Sequence, residues 1–405
     1  MKQLLFISVF CIFIVEIFSC KKLLPPAPAP EETLAEPLEG LTPEQLALFS
    51  FGDENFAHVF SREEGLGPIF TQTSCEGCHA GDGKGNPFNN LTRFGKYTNG
   101  IWDPMLLQGG PQLQPRAITG YSPETIPQGV ASTQLLPPNV TGLGFLEAVT
   151  DAFILSLTDS LANPDSISGK VNWISPPSYF VPNPNQISQN GKYIGRFGRK
   201  ASAINLIHRV TDAYHDDLGI TTDNLSIDPI NYNVSGLNGD NVADPEIPSA
   251  TLTQTIFYMR TLKTPPRRNT DNQDVIDGST IFIQTGCVKC HMQTLTTGSS
   301  EIEALNNKTF NPYTDLLLHD MGPGLDNGYT EGSAETSEWR TPPLWGLGLQ
   351  ENSQGGQMFL LHDGRASTFK EAITYHGGEA TTVIMNFKAL SDTDKEKLFA
   401  FLKSL

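Results

Sequence analysis

The pattern C-x-x-C-H occurs twice in this chain and constrains it more than any other feature. The two copies are Cys75-Glu76-Gly77-Cys78-His79 and Cys287-Val288-Lys289-Cys290-His291. This is the attachment pattern of c-type haem. Two thiols one helical turn apart can add to the haem vinyl groups, and the adjacent histidine then ligates the iron. We therefore predict two covalently bound haem c groups, with the four cysteines as attachment residues and His79 and His291 as axial ligands.

Other uses of paired cysteines fit less well. Two C-x-x-C pairs could form a four-sulfur zinc site, but they lie more than half the chain apart, and zinc does not account for both histidines. A thioredoxin-like redox site needs a strand–helix context and no adjacent histidine. The cysteines of an exported chain could form disulfides, but disulfides would not explain the adjacent histidines.

The first forty residues are predicted to export and anchor the chain. The apolar run from Leu4 to Phe18 is shorter than the ~20 residues that a spanning helix needs. It leads into Ser19-Cys20, which resembles a bacterial lipobox. Residues 1–19 are therefore a predicted lipoprotein signal peptide, Cys20 the lipid-attachment site, and the Pro/Ala-rich residues 20–40 a tether. We expect a periplasmic protein held at a membrane by lipid alone, with plain secretion as the alternative.

The charge balance limits the partners. The 405 residues carry a formal net charge of −17, whereas nucleic-acid binding requires a basic surface that neutralises phosphates. Nucleic acid is therefore excluded as a partner. The acidity favours solubility or the steering of a basic partner. At roughly 150 residues per domain, the length indicates two or three folding units.

Helix signals recur around both motifs. Thr42-Pro43-Glu44-Gln45 has the N-cap, the proline and the capping-box glutamine of a helix start. A second apolar helix from Val275 leads into Cys287, and Ser391 is the predicted N-cap of a terminal helix. We therefore predict a mainly α fold of two cytochrome c-like haem domains with long loops, over 41–265 and 266–405.

Several further stretches resemble the di-haem oxidoreductase family, whose relatives include bacterial di-haem cytochrome c peroxidases and MauG. The resemblance covers nearly all of the chain after the tether and implies a redox protein with two haems. Family members are sometimes labelled thiol oxidoreductases. Thiol chemistry is not expected here, because the cysteine sulfurs would form the bonds to haem. The stretches are Gly142–Ala148, Gly195–Gly198, Leu317–Leu325, Glu338–Trp345, Leu361–Ala366 and His376–Ala380.

The sixth ligand of each iron decides what each haem does. Iron with two strong ligands passes electrons, whereas iron with an open position can bind peroxide. Spacing alone suggests Met385 for the second haem, since it lies just before the last helix. The resemblance points instead to His376, which follows His362 by the fourteen residues that separate a His-Asp-Gly from the sixth ligand in the peroxidases. His376 is the predicted ligand, and His362 is predicted to be structural.

No sixth ligand is evident for the first haem. A weak internal repeat places Thr211 or Ala213 where the second half has His376, and neither ligates iron. His208 and His215 bracket that position and are the alternatives. We therefore predict that the first haem has an open position.

An open haem acts as a peroxidase only beside an acid–base group within hydrogen-bond reach of the peroxide. The resemblance implies such a residue in the loop where this chain has Asp216-Asp217-Leu218-Gly219. Asp217 is the predicted catalytic residue, and the alternative is a solvated aspartate at a helix end. The family also tends to place a tryptophan after Arg-Phe-Gly, where this chain has Arg199.

Together these features predict an exported di-haem oxidoreductase of the peroxidase type. Electrons would enter from a small exported donor of the cytochrome c or cupredoxin type and pass through the C-terminal haem to the N-terminal haem. Peroxide or another small molecule would react there. The alternatives are a non-catalytic di-haem electron carrier and a MauG-like oxidation of a protein or small molecule. A calcium ion is compatible with the sequence but is not predicted from it.

Overall fold

The computed structural model describes residues 33–158, 167–234 and 239–405. The predicted signal peptide, the lipid-attachment residue Cys20 and tether residues 20–32 lie outside the described residues. Among the described residues, no helix combines the length and the apolar character that crossing a bilayer requires.

Helices form the framework of the chain. Their boundaries match the main sequence signals, including the predicted terminal helix that Ser391 caps. In chain order the helices are α1 (Pro43–Ala57), α2 (Leu143–Ala148), α3 (Asp151–Leu157), α4 (Leu206–Asp212), α5 (Ser249–Thr261), α6 (Gln273–Thr285), α7 (Gln350–Ser353), α8 (Phe369–Tyr375), α9 (Thr381–Ala389) and α10 (Asp392–Ser404).

Short antiparallel strands fill the long connections, so the fold mixes helix and strand and is less purely helical than the sequence predicts. Long segments packed on a core must pair their backbone groups, and small sheets do this. The sheet orders are β1-β4, β3-β2-β5, β6-β8-β7, β10-β9 and β11-β12. The strands are β1 (Ile69–Phe70), β2 (Leu91–Thr98), β3 (Ile101–Asp103), β4 (Arg116–Ala117), β5 (Ala131–Leu135), β6 (Asn172–Ile174), β7 (Ser188–Gln189), β8 (Lys192–Gly195), β9 (Leu295–Thr296), β10 (Thr309–Phe310), β11 (Leu318–Asp320) and β12 (Glu338–Arg340).

The first helix begins as its sequence predicts. Thr42 Oγ1 accepts the Gln45 backbone N–H at 3.2 Å, and Gln45 Oε1 accepts the Thr42 backbone N–H at 3.0 Å. This reciprocal capping box satisfies two N–H groups that the helix itself cannot pair. The helix therefore starts at Pro43.

The same helix pairing occurs in both halves of the chain. Helix α1 precedes the first haem motif and packs on α5, whereas α6 precedes the second motif and packs on α10. A glycine allows each close approach: a Cβ on Gly52 would lie 2.3 Å from the Gln254 carbonyl oxygen, and one on Gly278 would lie 2.0 Å from that of Lys397. The predicted recurrence of helix, motif and terminal helix is thus present, while the boundary between 265 and 266 stays a prediction.

Replacement of Gly278 by Ala is expected to lower the free energy of unfolding by about 1–3 kcal/mol, because the added methyl group meets backbone that cannot move aside. This cost outweighs the helix propensity gain of about 1 kcal/mol. Urea denaturation of the purified protein measures the effect. Thr280→Ala, at an exposed position of the same helix, is the matched control and should leave stability nearly unchanged; equal stability of the two variants would contradict the packing argument.

The end of the predicted tether packs on the folded chain. Leu34 and Leu38 are buried, and the Leu38 backbone N–H donates to the Thr261 carbonyl at 2.8 Å. Burial of these two leucines compensates for ordering this stretch. Residues 33–40 are therefore part of the folded structure, which differs from the free tether that composition predicts.

Candidate haem and catalytic site

Both haem motifs open into one continuous cavity. It encloses about 2610 Å³ of atom-free space, including its opening to solvent, and apolar side chains form most of its wall. The side chains of both motifs line it, although they are far apart in sequence. The motif residues concerned are Cys75, Cys78, His79, Cys287, Cys290 and His291.

The cysteines of each pair lie on one tight turn, as attachment to a single haem requires. In the first motif the Cys78 and His79 N–H groups both donate to the Cys75 carbonyl, at 3.1 and 3.0 Å. In the second motif the His291 N–H donates to the Cys287 carbonyl at 3.0 Å. All four thiols are free, so neither pair is used in a disulfide.

The two motif histidines are oriented like metal ligands. His79 Nδ1 lies 3.2 Å from the Gly83 carbonyl oxygen, and His291 Nδ1 lies 2.9 Å from that of Tyr313. Such a bond places the ring proton on Nδ1 and leaves Nε2 as the ligating atom. Burial lowers the pKa of both imidazoles to about 4. They are therefore neutral at pH 7, which is the form that binds a metal.

His376 follows α8 and lines the same cavity. Its Nδ1 lies 2.8 Å from the Ala372 carbonyl oxygen, which repeats the arrangement of the motif histidines. A charge on His376 would lower the pKa of His291, so the two imidazoles are near enough to interact. Met385, the alternative from spacing, is 59% exposed and is not part of the cavity wall. This geometry favours His376 as the second ligand.

The alternative histidines near the first motif are engaged elsewhere. The nitrogens of His208 contact the Ile204 N–H and the Asp212 carboxylate, at 3.3 and 3.2 Å. Those of His215 contact Asp216 Oδ1 and the Ile227 carbonyl, at 2.8 and 3.1 Å. Neither ring lines the cavity. The cavity wall instead has Ala213, the non-ligating residue of the internal repeat.

Asp217 lies in the cavity wall beside the first motif, at the end of a π-helical turn, Ala213–Asp217, that follows α4. This turn is wider than that of an α-helix, a deviation common at functional sites. The Asp217 carbonyl accepts the N–H groups of Thr71 and Gln72 at 2.7 and 2.9 Å. Two hydrogen bonds thus fix the Asp217 backbone to the segment between β1 and Cys75.

Two neighbours contact the Asp217 carboxylate. Gln112 Nε2 donates to Oδ1 at 2.6 Å, and Arg209 Nη2 lies 3.9 Å from Oδ2. Burial raises the pKa of Asp217, although Arg209 and Gln112 oppose the shift. A raised pKa brings a carboxylate closer to the range in which it both accepts and returns a proton.

Sequence reasoning missed Gln112 and Arg209. Arg209 is on α4, eight positions before Asp217, which is beyond the spacings of three and four residues at which helix side chains regularly meet. Gln112 is 105 residues away in a loop, and no sequence pattern connects it to Asp217.

Glu147 positions helix α4. Its Oε1 accepts the Leu206 N–H at 2.8 Å, and its Oε2 accepts from Arg260 Nε at 2.6 Å.

Two arginines, the buried Arg340 and the half-buried Arg199, line the cavity without acidic partners among the described residues. Arg199 donates to the Leu136 carbonyl at 2.9 Å, and Arg340 donates to the Gly198 carbonyl at 3.0 Å. No carboxylate among the described residues forms an ion pair with either. Burial lowers the pKa of Arg199 to about 9 and that of Arg340 to about 10. Such cations favour an anionic ligand group, as the carboxylates of two haems would provide.

An aromatic pair also forms part of this wall. The rings of Trp339 and His362 stack with their centroids 3.6 Å apart, and Trp339 Nε1 donates to the Leu325 carbonyl at 2.9 Å. Lys200 Nζ lies 3.8 Å from the centre of the indole ring. The cavity thus has a tryptophan, although Arg199 stands where the resemblance expects one. Free thiols, oriented imidazoles, apolar walls and buried cations together fit haem groups.

Two comparisons with solved structures give weak likenesses. The hydrazine synthase of Kuenenia stuttgartiensis is 15% identical, with 95% of this chain and 98% of that chain covered and a TM-score of 0.39. A MauG-like protein associated with microbial copper homeostasis is 13% identical, with 95% and 94% covered and a TM-score of 0.40. No curated protein matches the chain.

A family profile gives the clearest relationship. The family described as "Di-haem oxidoreductase, putative peroxidase" matches residues 133–405, about two thirds of the chain. The match includes the second haem motif, His376 and Asp217, and it agrees with the resemblance seen in the sequence. The chain therefore belongs to the di-haem oxidoreductase family.

Proposed function

We propose that this protein is an exported di-haem c peroxidase. The observation that carries the proposal is the position of Asp217 in the cavity wall, held by Gln112, while His208 and His215, the alternative ligands of the first iron, lie outside that wall. An acid–base group stands there in place of a second iron ligand. Membership in a di-haem oxidoreductase family supports the same chemistry.

The chain's own residues would hold the two haems. Cys75 and Cys78 would attach one and Cys287 and Cys290 the other, while Arg199 and Arg340 would pair with haem carboxylates. When bound, the haems would supply iron that exchanges electrons one at a time. His79, His291 and His376 would ligate that iron through Nε2.

Asp217 would move the proton that peroxide reduction requires. Its carboxylate takes a proton from one oxygen of hydrogen peroxide and returns it to the other, which leaves as water. Gln112 donates to Oδ1, and Oδ2, which lies 3.9 Å from Arg209 Nη2, would exchange the proton. Two further protons and two electrons complete the reduction of peroxide to two waters.

The electrons would come from a small exported protein of the cytochrome c or cupredoxin type. The net charge of −17 favours a donor with a basic face. We place this exchange in the periplasm, with Cys20 lipidated. The Trp339–His362 stack provides polarisable rings in the wall that both motifs share.

One measurement tests the function directly. The purified holoprotein, supplied with a reduced donor, should oxidise it in proportion to added hydrogen peroxide, and its electron paramagnetic resonance spectrum should contain a high-spin haem. Two low-spin haems and no peroxide-dependent oxidation would favour the electron-carrier alternative. Turnover of an organic or protein substrate without donor oxidation would favour the MauG-like alternative.

Haem attachment gives a separate expected result. The intact mass of the mature protein should exceed that of its polypeptide by two haems, because each cysteine pair forms two thioethers. The double variant Cys75→Ala, Cys78→Ala should carry one haem only. A wild-type mass with one haem or none contradicts the proposal.

A further inference from the structure

Outside the haem cavity, acidic side chains converge on Thr221, four residues after Asp217. Asp228, Asp244 and Glu246 each place one carboxylate oxygen within 4.8 Å of those of the other two. Thr221 Oγ1 lies 2.8 Å from Asp244 Oδ1 and also contacts Glu246 Oε2. Three carboxylates thus lie close together, and two of them contact the same hydroxyl group.

Buried oxygens of this cluster have no partner among the described residues. Asp228 is only 8% exposed; its Oδ2 accepts the Asp240 backbone N–H at 2.9 Å, while its Oδ1 accepts nothing. Glu246 Oε1 is likewise buried and unpartnered. An acceptor shut away from water without a donor costs about 1–3 kcal/mol, more for a charged group. Within the part of the chain that the structure describes, these two oxygens therefore lack an electropositive partner.

Among the described residues, the main positive charge near this cluster is that of His215, which opposes the rise that burial causes in the pKa of Asp228. The Thr221 hydroxyl carries one proton and cannot donate to Asp244 and Glu246 together. No lysine or arginine among the described residues forms an ion pair with Asp228, Asp244 or Glu246. Burial raises the pKa of Asp228 to about 6 and that of Glu246 to about 7, and the charge of Asp244 adds to the shift of Asp228.

We propose that Asp228, Asp244 and Glu246 form a binding site for one Ca²⁺ ion, with Thr221 as a neutral oxygen neighbour. The donors are all hard oxygens, which excludes the metals that require nitrogen or sulfur. They lie on irregular backbone, and Ca²⁺ accepts irregular coordination by several carboxylates, whereas Mg²⁺ demands near-octahedral geometry and retains water. The ion would neutralise the carboxylates and join residues 244–246 to the segment that follows Asp217.

Calcium binding to the full-length holoprotein, stripped with a chelator and then dialysed, tests the site. Equilibrium dialysis with radioactive Ca²⁺ should show a bound ion that the Asp244→Asn and Glu246→Gln variants bind at least about tenfold more weakly, because each loses one ligand charge. Asp244 is exposed, so its replacement leaves the fold intact. Glu396→Gln, at an exposed position on α10, is the control and should bind Ca²⁺ like the wild type.

A second readout is thermal unfolding followed by circular dichroism. Ca²⁺ should raise the Tm of the wild type and of Glu396→Gln, because an ion that binds only the folded state stabilises it. It should raise the Tm of Asp244→Asn less. Equal affinity in the wild type and Asp244→Asn overturns the proposal, as does a stripped wild type that binds no Ca²⁺. An equal response to the same concentration of Mg²⁺ overturns the choice of ion.

Discussion

Asp217→Asn is expected to lower the rate of peroxide turnover by about 10²-fold or more, while both haem absorption spectra stay as in the wild type. The range for a lost general acid–base group is about 10²–10⁴. Asparagine keeps the size of the side chain and its oxygen can still accept from Gln112, so the cavity wall should not change. What it loses is the ability to take a proton at Oδ2. Stopped-flow oxidation of a reduced donor by hydrogen peroxide measures the rate.

Asp216→Asn is the matched control for this experiment. Asp216 is adjacent and also carries a carboxylate, but its Oδ1 contacts His215 Nδ1 at 2.8 Å and its side chain is not part of the cavity wall. Its replacement should reduce turnover less than that of Asp217. Unimpaired turnover in both variants would remove Asp217 from the mechanism.

His376→Ala is expected to convert one haem from a low-spin to a high-spin or water-ligated form, and to leave the other unchanged. Alanine removes the imidazole whose Nδ1 is held by the Ala372 carbonyl at 2.8 Å and provides no ligand in its place. The loss of a strong axial ligand changes the spin state and raises the reduction potential. Absorption and electron paramagnetic resonance spectra of the oxidised protein measure the change directly.

Met385→Ala is the control for the second prediction. Met385 is exposed, so its loss should leave the spectra of both haems unchanged. If instead His376→Ala stays low-spin at both irons and Met385→Ala does not, the ligand is Met385.

The two haem motifs and the ends of several helices could be predicted because local rules specify them. The capping box of Thr42 and Gln45 involves residues three positions apart, and C-x-x-C-H brings its ligands together on a single turn. The partners of Asp217 follow no such rule. Gln112 reaches it from a different loop, and only the packed structure shows this contact.

Local sequence rules also could not predict the strand content or the packing of residues 33–40 on the folded chain. Short strands such as β11 and β12 form where distant segments lie side by side, since neither strand is long enough to be stable alone. Leu34 and Leu38 are ordered because the folded chain offers them an apolar surface. Composition could not reveal that surface.

The sequence by itself pointed to the atoms that we propose bind haem: four thiols in two pairs, the two histidines that follow them, and His376 through its family resemblance. Covalent spacing decides such chemistry, and spacing is present in the unfolded chain. Only the tertiary structure decided that both motifs share one cavity, that Gln112 and Arg209 flank Asp217, and that Asp228, Asp244 and Glu246 lie together. No local spacing rule specifies these contacts, and burial of apolar surface, which has no direction along the chain, brings the residues together.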